Sequence, residues 1–304
     1  MPFPVVISNI CDSTDNLCTH KKILIKSWIA GFSDTSTITD VVMPDSEIIL
    51  SPSFKFYEEA LYALNSPKQA QRQVEAYALE NDQQILFYSI SRPVTIHPMH
   101  FFGDEPFAFE NPYFWLGVWV TPFADSISSI VKDVAKELPN GNLSVYQPIF
   151  PEVSIELNSK IVVGFVFNAL RSRNIKYVQD LGTTKFIGQK INYPTETLRK
   201  KQGICIETTT LFASILERIG FHTFIILIPG HSFVGWLTEQ DGNTIDVVET
   251  TMIGNENVTF ADANNLAINE YKEQIELGNF ESGKSVIIEL EKIRNVGIKP
   301  NNIP

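Results

Sequence analysis

The sequence predicts an α+β protein in two parts, a β-rich domain over residues 1–105 and a mixed helix-and-sheet domain over residues 106–304. Three observations carry this. The first hundred residues hold short runs of alternating or continuous apolar residues at strand length. Beyond them, apolar residues recur at helical spacing in several stretches. Between the two lies the turn cluster Gly103-Asp104-Glu105-Pro106, whose residue types break regular structure and mark a boundary.

In the first region, Glu47–Leu50, Gln73–Leu79 and Ile85–Ile90 read as strands, and residues 57–65 as a short helix. In the second, Leu116–Val120 reads as a buried strand. Ile127, Ile130, Val131, Val134 and Leu138 form a helical stripe that Pro139-Asn140-Gly141 ends. A helix over about 157–172 turns Ile161, Val162, Phe165 and Leu170 inward. Leu211, Phe212, Ile215, Leu216 and Ile219 define a helix that begins at Cys205 and stops at Gly220. His222–Ile228 is a nearly unbroken apolar run of interior-strand type. Pro229-Gly230 turns the chain into a strand from His231 to about Leu237. Gln240-Asp241-Gly242-Asn243 turns it again, and Thr244–Glu249 runs back.

Composition narrows the function classes. The chain has 304 residues, 44% hydrophobic, with a net charge of −11. Its length suffices for a large core. An acidic surface repels phosphate backbones, so nucleic acid is not an expected partner. No run of 18 apolar residues is present, so no membrane span is expected. The opening Met1-Pro2-Phe3-Pro4-Val5-Val6-Ile7 lacks the basic segment and long apolar run of a secretory signal. Three cysteines are an odd number, which argues against a disulfide framework and points to the reducing cytoplasm.

The chemistry lies in one ordered set: Cys205, then His231, then Glu249. A thiol is a weak nucleophile at neutral pH until an imidazole takes its proton, and a carboxylate fixes that imidazole's tautomer. Cys205 falls in the first turn of its helix, where the partial positive charge favours a thiolate and free N–H groups are available to an oxyanion. Folding the second hairpin about residue 240 or 241 sets His231 opposite residues 249–251. Glu249, and not Asp246, is then within reach of the imidazole. Glu249 also shares a strand face with Val247 and Ile245, an apolar setting that demands a partner. Singly, a buried cysteine, a histidine after Pro-Gly and a strand-end glutamate are ordinary structural residues. Their order and the hairpin register are what unite them.

At these residues the chain resembles the bacterial branch of the transglutaminase-like cysteine peptidase superfamily. The carrying segments are Gln189-Lys-Ile-Asn-Tyr-Pro-Thr-Glu-Thr-Leu198, Gly203-Ile-Cys205-Ile-Glu-Thr, Leu211-Phe-Ala-Ser-Ile-Leu-Glu-Arg-Ile-Gly220, Pro229-Gly-His231-Ser-Phe-Val-Gly-Trp236 and Val248-Glu249-Thr-Thr251. The likeness spans at least residues 111–298. It implies a papain/transglutaminase-like core, with a nucleophile helix packed on an antiparallel sheet, preceded by a sandwich-like N-terminal domain. It implies a cysteine protease or hydrolase using Cys205 as nucleophile, His231 as base and Glu249 as orienting acid, with no cofactor and no metal. Glu249 departs from the family's usual Asp-Pro-Thr, since here the text is Glu-Thr-Thr. Gln189 and Gln202 are the amide candidates for the oxyanion, with Gln189 favoured because it leads the family segment before the cysteine. Protein or peptide substrates are expected. A protein-glutamine acyltransferase shares the same triad, and a scaffold without turnover is the rival class. Domains of this kind also suggest an activating protein partner, in a bacterial phage-defence setting.

Other features invite milder readings. Cys11, Cys18 and His20 lack a second pair to complete a metal site. His97 and His100 read as surface or interdomain residues. Phe101-Phe102 and Tyr113-Phe114-Trp115 read as core or domain-interface aromatics. Glu207 suits the helix dipole and, if charged, opposes thiolate formation. Arg199-Lys200-Lys201 reads as a solvated surface or as a steadying influence on a local anion.

Overall fold

The computed structural model describes residues 4–11, 19–81, 83–102, 112–150, 152–179 and 189–301. The chain divides into two compact units, Met1–Phe101 and Phe102–Pro304. The turn cluster at residues 103–106 lies outside the described residues. Helices and antiparallel sheets both contribute, so the chain is α+β.

The first unit contains β1 (Val5–Asn9), β2 (Lys21–Ile29), β3 (Ser36–Val42), β4 (Ser46–Leu50), α1 (Glu58–Tyr62), β5 (Lys68–Glu80) and β6 (Gln83–Ile96). Four strands form an antiparallel sheet in the order β3-β2-β5-β6, and β1 pairs with β4 as a separate ribbon. Period-two patterning explains the packing: Ile23 and Ile25 of β2 and Val74 and Ala76 of β5 point one way and meet Leu50 of the ribbon. β6 is an edge strand. It tolerates Pro93, which has no N–H to give a further neighbour, and it exposes Ile85, Leu86, Phe87 and Tyr88.

Two expectations for this unit change. His100 is buried, with its Nε2 3.2 Å from the Leu64 carbonyl, and is not a surface residue. Cys11 is disulfide-bonded, so the odd cysteine count concealed a bridge. Cys205 is the free thiol among the described residues. The argument for a reducing compartment therefore loses its premise. What stands is that no helix among the described residues is long and apolar enough to cross a membrane.

The second unit begins with another difference. Residues Pro112–Trp119 form a 3-10 helix where Leu116–Val120 reads as a strand. A short apolar run has no periodicity to separate the two. Trp119 decides the local packing: its indole N–H donates to the Ile191 carbonyl at 3.1 Å and its ring stacks on Tyr193. Next come α2 (Asp125–Glu137) and α3 (Ile155–Arg171). α3 starts before the expected position because the Ser154 hydroxyl caps it, accepting from Leu157 N–H at 3.2 Å. Its fully buried face carries Val162, Val163, Val166, Phe167 and Leu170, while Ile161 and Phe165 are half-buried.

The site rests on the elements that follow. These are α4 (Pro194–Lys200), α5 (Cys205–Ile219), β7 (Thr223–Ile228), β8 (His231–Leu237), β9 (Ile245–Val248), α6 (Phe260–Glu276), β10 (Val286–Glu289) and α7 (Leu290–Asn295). The strands form an antiparallel sheet in the order β9-β8-β7-β10. α5 ends at Gly220, whose φ of +107° places it in the left-handed region. α5 and α6 take opposite faces of the sheet. Ala267 of α6 packs with Phe224, Ile226, Phe233 and Val247. Thr209 of α5 instead bonds Ser232, one residue out of phase with Phe233.

A short 3-10 turn, Thr251–Gly254, follows β9 and supports the acid end of the site. A Cβ on Gly254 would collide with the backbone of Ile175 and Lys176. Backbone cannot step aside as a side chain can. Gly254→Ala is expected to cost about 1–3 kcal/mol, measured as a lower urea midpoint with unchanged slope.

Candidate active site

Cys205 is the first residue of α5, preceded by Ile204 in extended conformation. The N–H groups of Glu207 and Thr208 close onto the Ile204 carbonyl at 3.1 Å each. Those of Cys205 and Ile206 stay outside the helical ladder, and the Ile206 N–H hydrogen-bonds the Cys205 sulfur. The His231 ring and the Ser232 hydroxyl line the same groove as the sulfur and act to lower its pKa. The geometry of α5 relative to the sheet comes from a buried hydroxyl cluster. Thr209 Oγ1 donates to the Ser232 carbonyl at 3.1 Å, and Thr250 Oγ1 lies 3.1 Å from both Thr208 Oγ1 and Thr209 Oγ1. Three consecutive threonines on a buried helix face are poor helix formers but good hydroxyl donors. Thr208 and Thr209 tie the helix of Cys205 to the strand of His231 and to the segment after Glu249, while Thr210 bonds the Glu207 carbonyl within α5.

His231 follows a turn that needs glycine, since Gly230 has φ +77°. The β8–β9 ladder pairs Val234 with Val248 and Trp236 with Asp246, the register anticipated from the hairpin. Beyond Val248 the ladder stops, and Glu249 N–H donates instead to the Ala263 carbonyl of α6 at 3.1 Å. His231 Nε2 donates to Glu249 Oε2 at 2.6 Å. This leaves Nδ1 as the ring nitrogen for the thiol. Glu249 is 1% exposed. Its other oxygen, Oε1, accepts from Thr251 N–H at 2.8 Å and from Thr251 Oγ1 at 2.6 Å. The longer glutamate side chain thus spans to the imidazole with both oxygens satisfied. Asp246 is occupied elsewhere, by Asn264 at 2.7 Å and Lys160 at 3.2 Å.

Electrostatics follow the contacts. Burial pushes the Cys205 thiol up, but the hydrogen bonds from His231 and Ser232, with the imidazolium charge and the Ile206 N–H, bring it below its ordinary value. Burial pulls His231 down, but its bonds to Cys205 and Glu249 and their charges raise it to about 10. Burial pushes Glu249 up, and its bonds to His231 and Thr251 hold it below the usual carboxylate range. A thiolate–imidazolium pair beside a carboxylate is the state these shifts favour.

Other residues fall into place around this line. Glu207 is buried and structural: Oε2 accepts from Ile204 N–H at 3.1 Å and Oε1 from Asn192 N–H at 2.7 Å. Burial raises its pKa against those bonds and the charge of Lys200, which itself donates to Asn192. Lys200 is thus the member of the basic triplet that steadies a local anion. Gln189 lines the groove that holds Cys205 and His231, whereas Gln202 is exposed and pairs with Lys176. The groove has a volume of 510 Å3. Phe102 and Tyr113, stacked at 6.1 Å, line it, so these aromatics face the site. Leu116, Leu227 and Ile228 add apolar surface to a mixed lining that also carries Ser232 and Lys284.

Sequence reasoning missed Ser232, Thr251, Tyr177 and Glu270. Burial, then the charges of Cys205 and Glu249, raises the Tyr177 phenol, which places it beside the site. Glu270 projects from α6, an element for which no sequence expectation was drawn. Ligand atoms of His231, Glu249 and Glu270 gather within 4.8 Å. Glu249 already has both oxygens bonded, one of them to His231, so the group reads as a hydrogen-bonded dyad with a second carboxyl beside it, and not as an open ligand set. Cys11 is bridged and offers no thiolate, while Cys18 lies outside the described residues.

No family model matches the chain, and no curated protein matches it by sequence.

His231 keeps its proton to about 10, against 6.5 for an ordinary imidazole. Its stabilising contribution is complete below 6.5 and is lost as pH rises through 10. Glu249, held below 4.5, contributes above that value and is lost as pH falls through its folded pKa. The pair is therefore most stabilising between 4.5 and 6.5. His231→Gln is expected to cost about 3 kcal/mol there, shrinking toward pH 10. Thermal melts of both proteins across that range check it, and a pH-independent difference contradicts it.

Proposed function

We propose that the protein is a cysteine hydrolase of the peptidase or amidase class, built on a papain/transglutaminase-like core. The observation that carries this is the grouping of Cys205, His231 and Glu249: the imidazole donates to Glu249 at 2.6 Å, and the same imidazole lines one groove with Cys205 and lowers its thiol pKa. The likeness of the Cys205, His231 and Glu249 segments to transglutaminase-like peptidases supports the same reading.

The Cys205 thiolate attacks the substrate carbonyl, and a C–S bond forms as the carbonyl π pair moves to oxygen. The N–H groups at the start of α5, with the Gln189 amide, stabilise that oxyanion. The tetrahedral intermediate collapses with cleavage of the C–N bond. The His231 imidazolium gives its Nδ1 proton to the departing amine and becomes neutral. A thioester remains. Water then enters, His231 takes its proton, and attack on the thioester releases the acid and restores the thiolate–imidazolium pair. Throughout, Glu249 keeps the Nε2 proton in place and offsets the charge of the imidazolium.

The aromatic and aliphatic part of the groove, Phe102, Tyr113, Leu116, Leu227 and Ile228, suits a protein or peptide whose acyl side carries a bulky apolar or aromatic residue. A primary amine in place of water turns the same thioester into an acyl-transfer product. A scaffold without turnover has no use for a buried carboxylate aligned on an imidazole that meets a free thiol.

Two measurements test this. Cys205 alkylation by iodoacetamide is expected to persist well below the ordinary thiol range in the native protein. In His231→Gln the rate is expected to fall by about 10-fold or more near pH 6; identical profiles contradict the thiolate–imidazolium pair. Casein turnover with and without a primary-amine donor separates the two acceptors. Cys205→Ala is expected to abolish product, and Glu249→Gln to lower kcat by about 10^2–10^4-fold with KM little changed. Amine incorporation without cleavage identifies a transferase, and full biological activity in Cys205→Ala favours the scaffold.

A further inference from the structure

Glu270 is a half-buried acid that the mechanism above does not use. It lies on α6, the helix covering the sheet face that carries His231, Phe233, Val247 and Glu249. Strand parity puts those four side chains on one side, so the imidazole and its carboxylate partner face α6. One Glu270 oxygen lies within 4.8 Å of the His231 and Glu249 atoms. Its Oε2 is buried and has no hydrogen-bond partner. A buried carboxyl oxygen without a partner is destabilising, and an apolar residue of similar shape would avoid the cost. Nothing in the packing of α6 requires an acid here, since Ala263, Ala267 and Ile268 supply its apolar contacts.

The surrounding charges define what this carboxyl senses. From β8 comes His231, from the segment after β9 comes Glu249, and from α6 itself comes Glu273. Asp246 of β9 and Lys160 of α3 neutralise one another at 3.2 Å. Glu270 therefore faces one acid that is already committed to the imidazole, one acid on its own helix, and the imidazole itself. Two carboxylates this close do not ionise independently: the better-solvated and better-bonded one keeps its charge, and the other titrates later. Glu249 has three hydrogen bonds to its charged form and takes the first role. Burial, then the Glu249 charge, raises Glu270, in line with the second role.

We infer that Glu270 is a positioning residue that acts through the Glu249–His231 pair: its ionisation adds a second negative charge beside the imidazole and sets how strongly His231 holds the proton it receives from Cys205. This rests on the hydrolase reading only for its consequence, the pH range over which the thiolate–imidazolium pair persists. The electrostatic coupling itself does not require turnover.

The test reads His231 directly. In full-length Cys205→Ala protein, which cannot form the acyl-enzyme, the His231 ring resonances are followed by NMR against pH, assigned by their loss in His231→Gln. Adding Glu270→Gln removes the charge with little change of shape and is expected to lower the His231 midpoint by about one pH unit. Glu270→Asp keeps the charge and is expected to restore most of that shift. Midpoints that coincide in Glu and Gln proteins overturn the inference. So does a shift that Asp fails to restore, because that is the mark of a packing effect.

A second readout, on protein retaining Cys205, is the alkaline limb of the iodoacetamide rate profile. It is expected to move down with Glu270→Gln. An NMR shift together with an inert Cys205 keeps the coupling and removes the hydrolase reading. A reactive Cys205 with unmoved NMR midpoints removes the coupling and keeps the hydrolase reading.

Discussion

The second unit is organised around one buried carboxylate. Glu249 is taken almost wholly out of water, at a cost of several kcal/mol unless each oxygen is bonded. Thr251 satisfies Oε1 through both its N–H and its hydroxyl, and His231 satisfies Oε2. These bonds explain several otherwise separate features. The β8–β9 ladder ends at Val248 so that the next residue can turn inward. The 3-10 turn after β9 delivers Thr251 to the acid. α6 closes over the same face, accepting the Glu249 N–H at Ala263. His231 is held at Nε2, which leaves Nδ1 as the ring nitrogen for another partner.

The Cys205 side is built on a different chemistry. α5 meets the sheet through hydroxyls as well as hydrocarbons, with Thr208 and Thr209 bonded to Ser232 and Thr250. Apolar side chains alone would allow small sliding motions between helix and sheet, whereas directional hydrogen bonds fix the axial position of the first turn. Glu207 adds a constraint from the other side, joining Ile204 and Asn192 and so holding the segment that leads from Gln189 to the helix. The carboxylate that looks on paper like an obstacle to thiolate formation is instead occupied with backbone N–H groups. The groove between these supports mixes apolar side chains such as Leu116, Leu227 and Ile228 with Gln189, Ser232 and the cationic Lys284.

Legibility differed by the kind of signal. Helices with a complete stripe and a breaker were readable: α2 ends before Pro139 and α5 stops at Gly220. The hairpin register was readable because two turn signals fixed its centre, and that register brought Glu249 and not Asp246 to the imidazole. The run Leu116–Val120 was not readable, because five apolar residues fit a strand or a 3-10 turn equally, and Trp119 finds its partner at Ile191, far along the chain. The surface reading of His100 failed for the same reason, since its burial depends on the segment around Leu64, and the odd cysteine count hid the Cys11 bridge because Cys205 is the free member. Phe102 and Tyr113 were read as core or domain-interface aromatics, and only the fold reveals that they face a groove.

By itself the sequence determined the residue types of the site, their order, and the local geometry that places a thiol at a helix start and an imidazole after a Pro-Gly turn. These are short-range properties, set by backbone conformation and side-chain period within one or two elements. The tertiary structure alone decided which second carboxyl stands beside His231, which hydroxyls lock α5 to the sheet, and which of two glutamines lines the groove. Glu270 lies 21 residues beyond Glu249 on a helix that docks from the opposite face, and Gln189 reaches the site from before α4. No local pattern records such meetings, because they are fixed by the packing of whole elements, whose free energy is spread over many contacts and written at no single position.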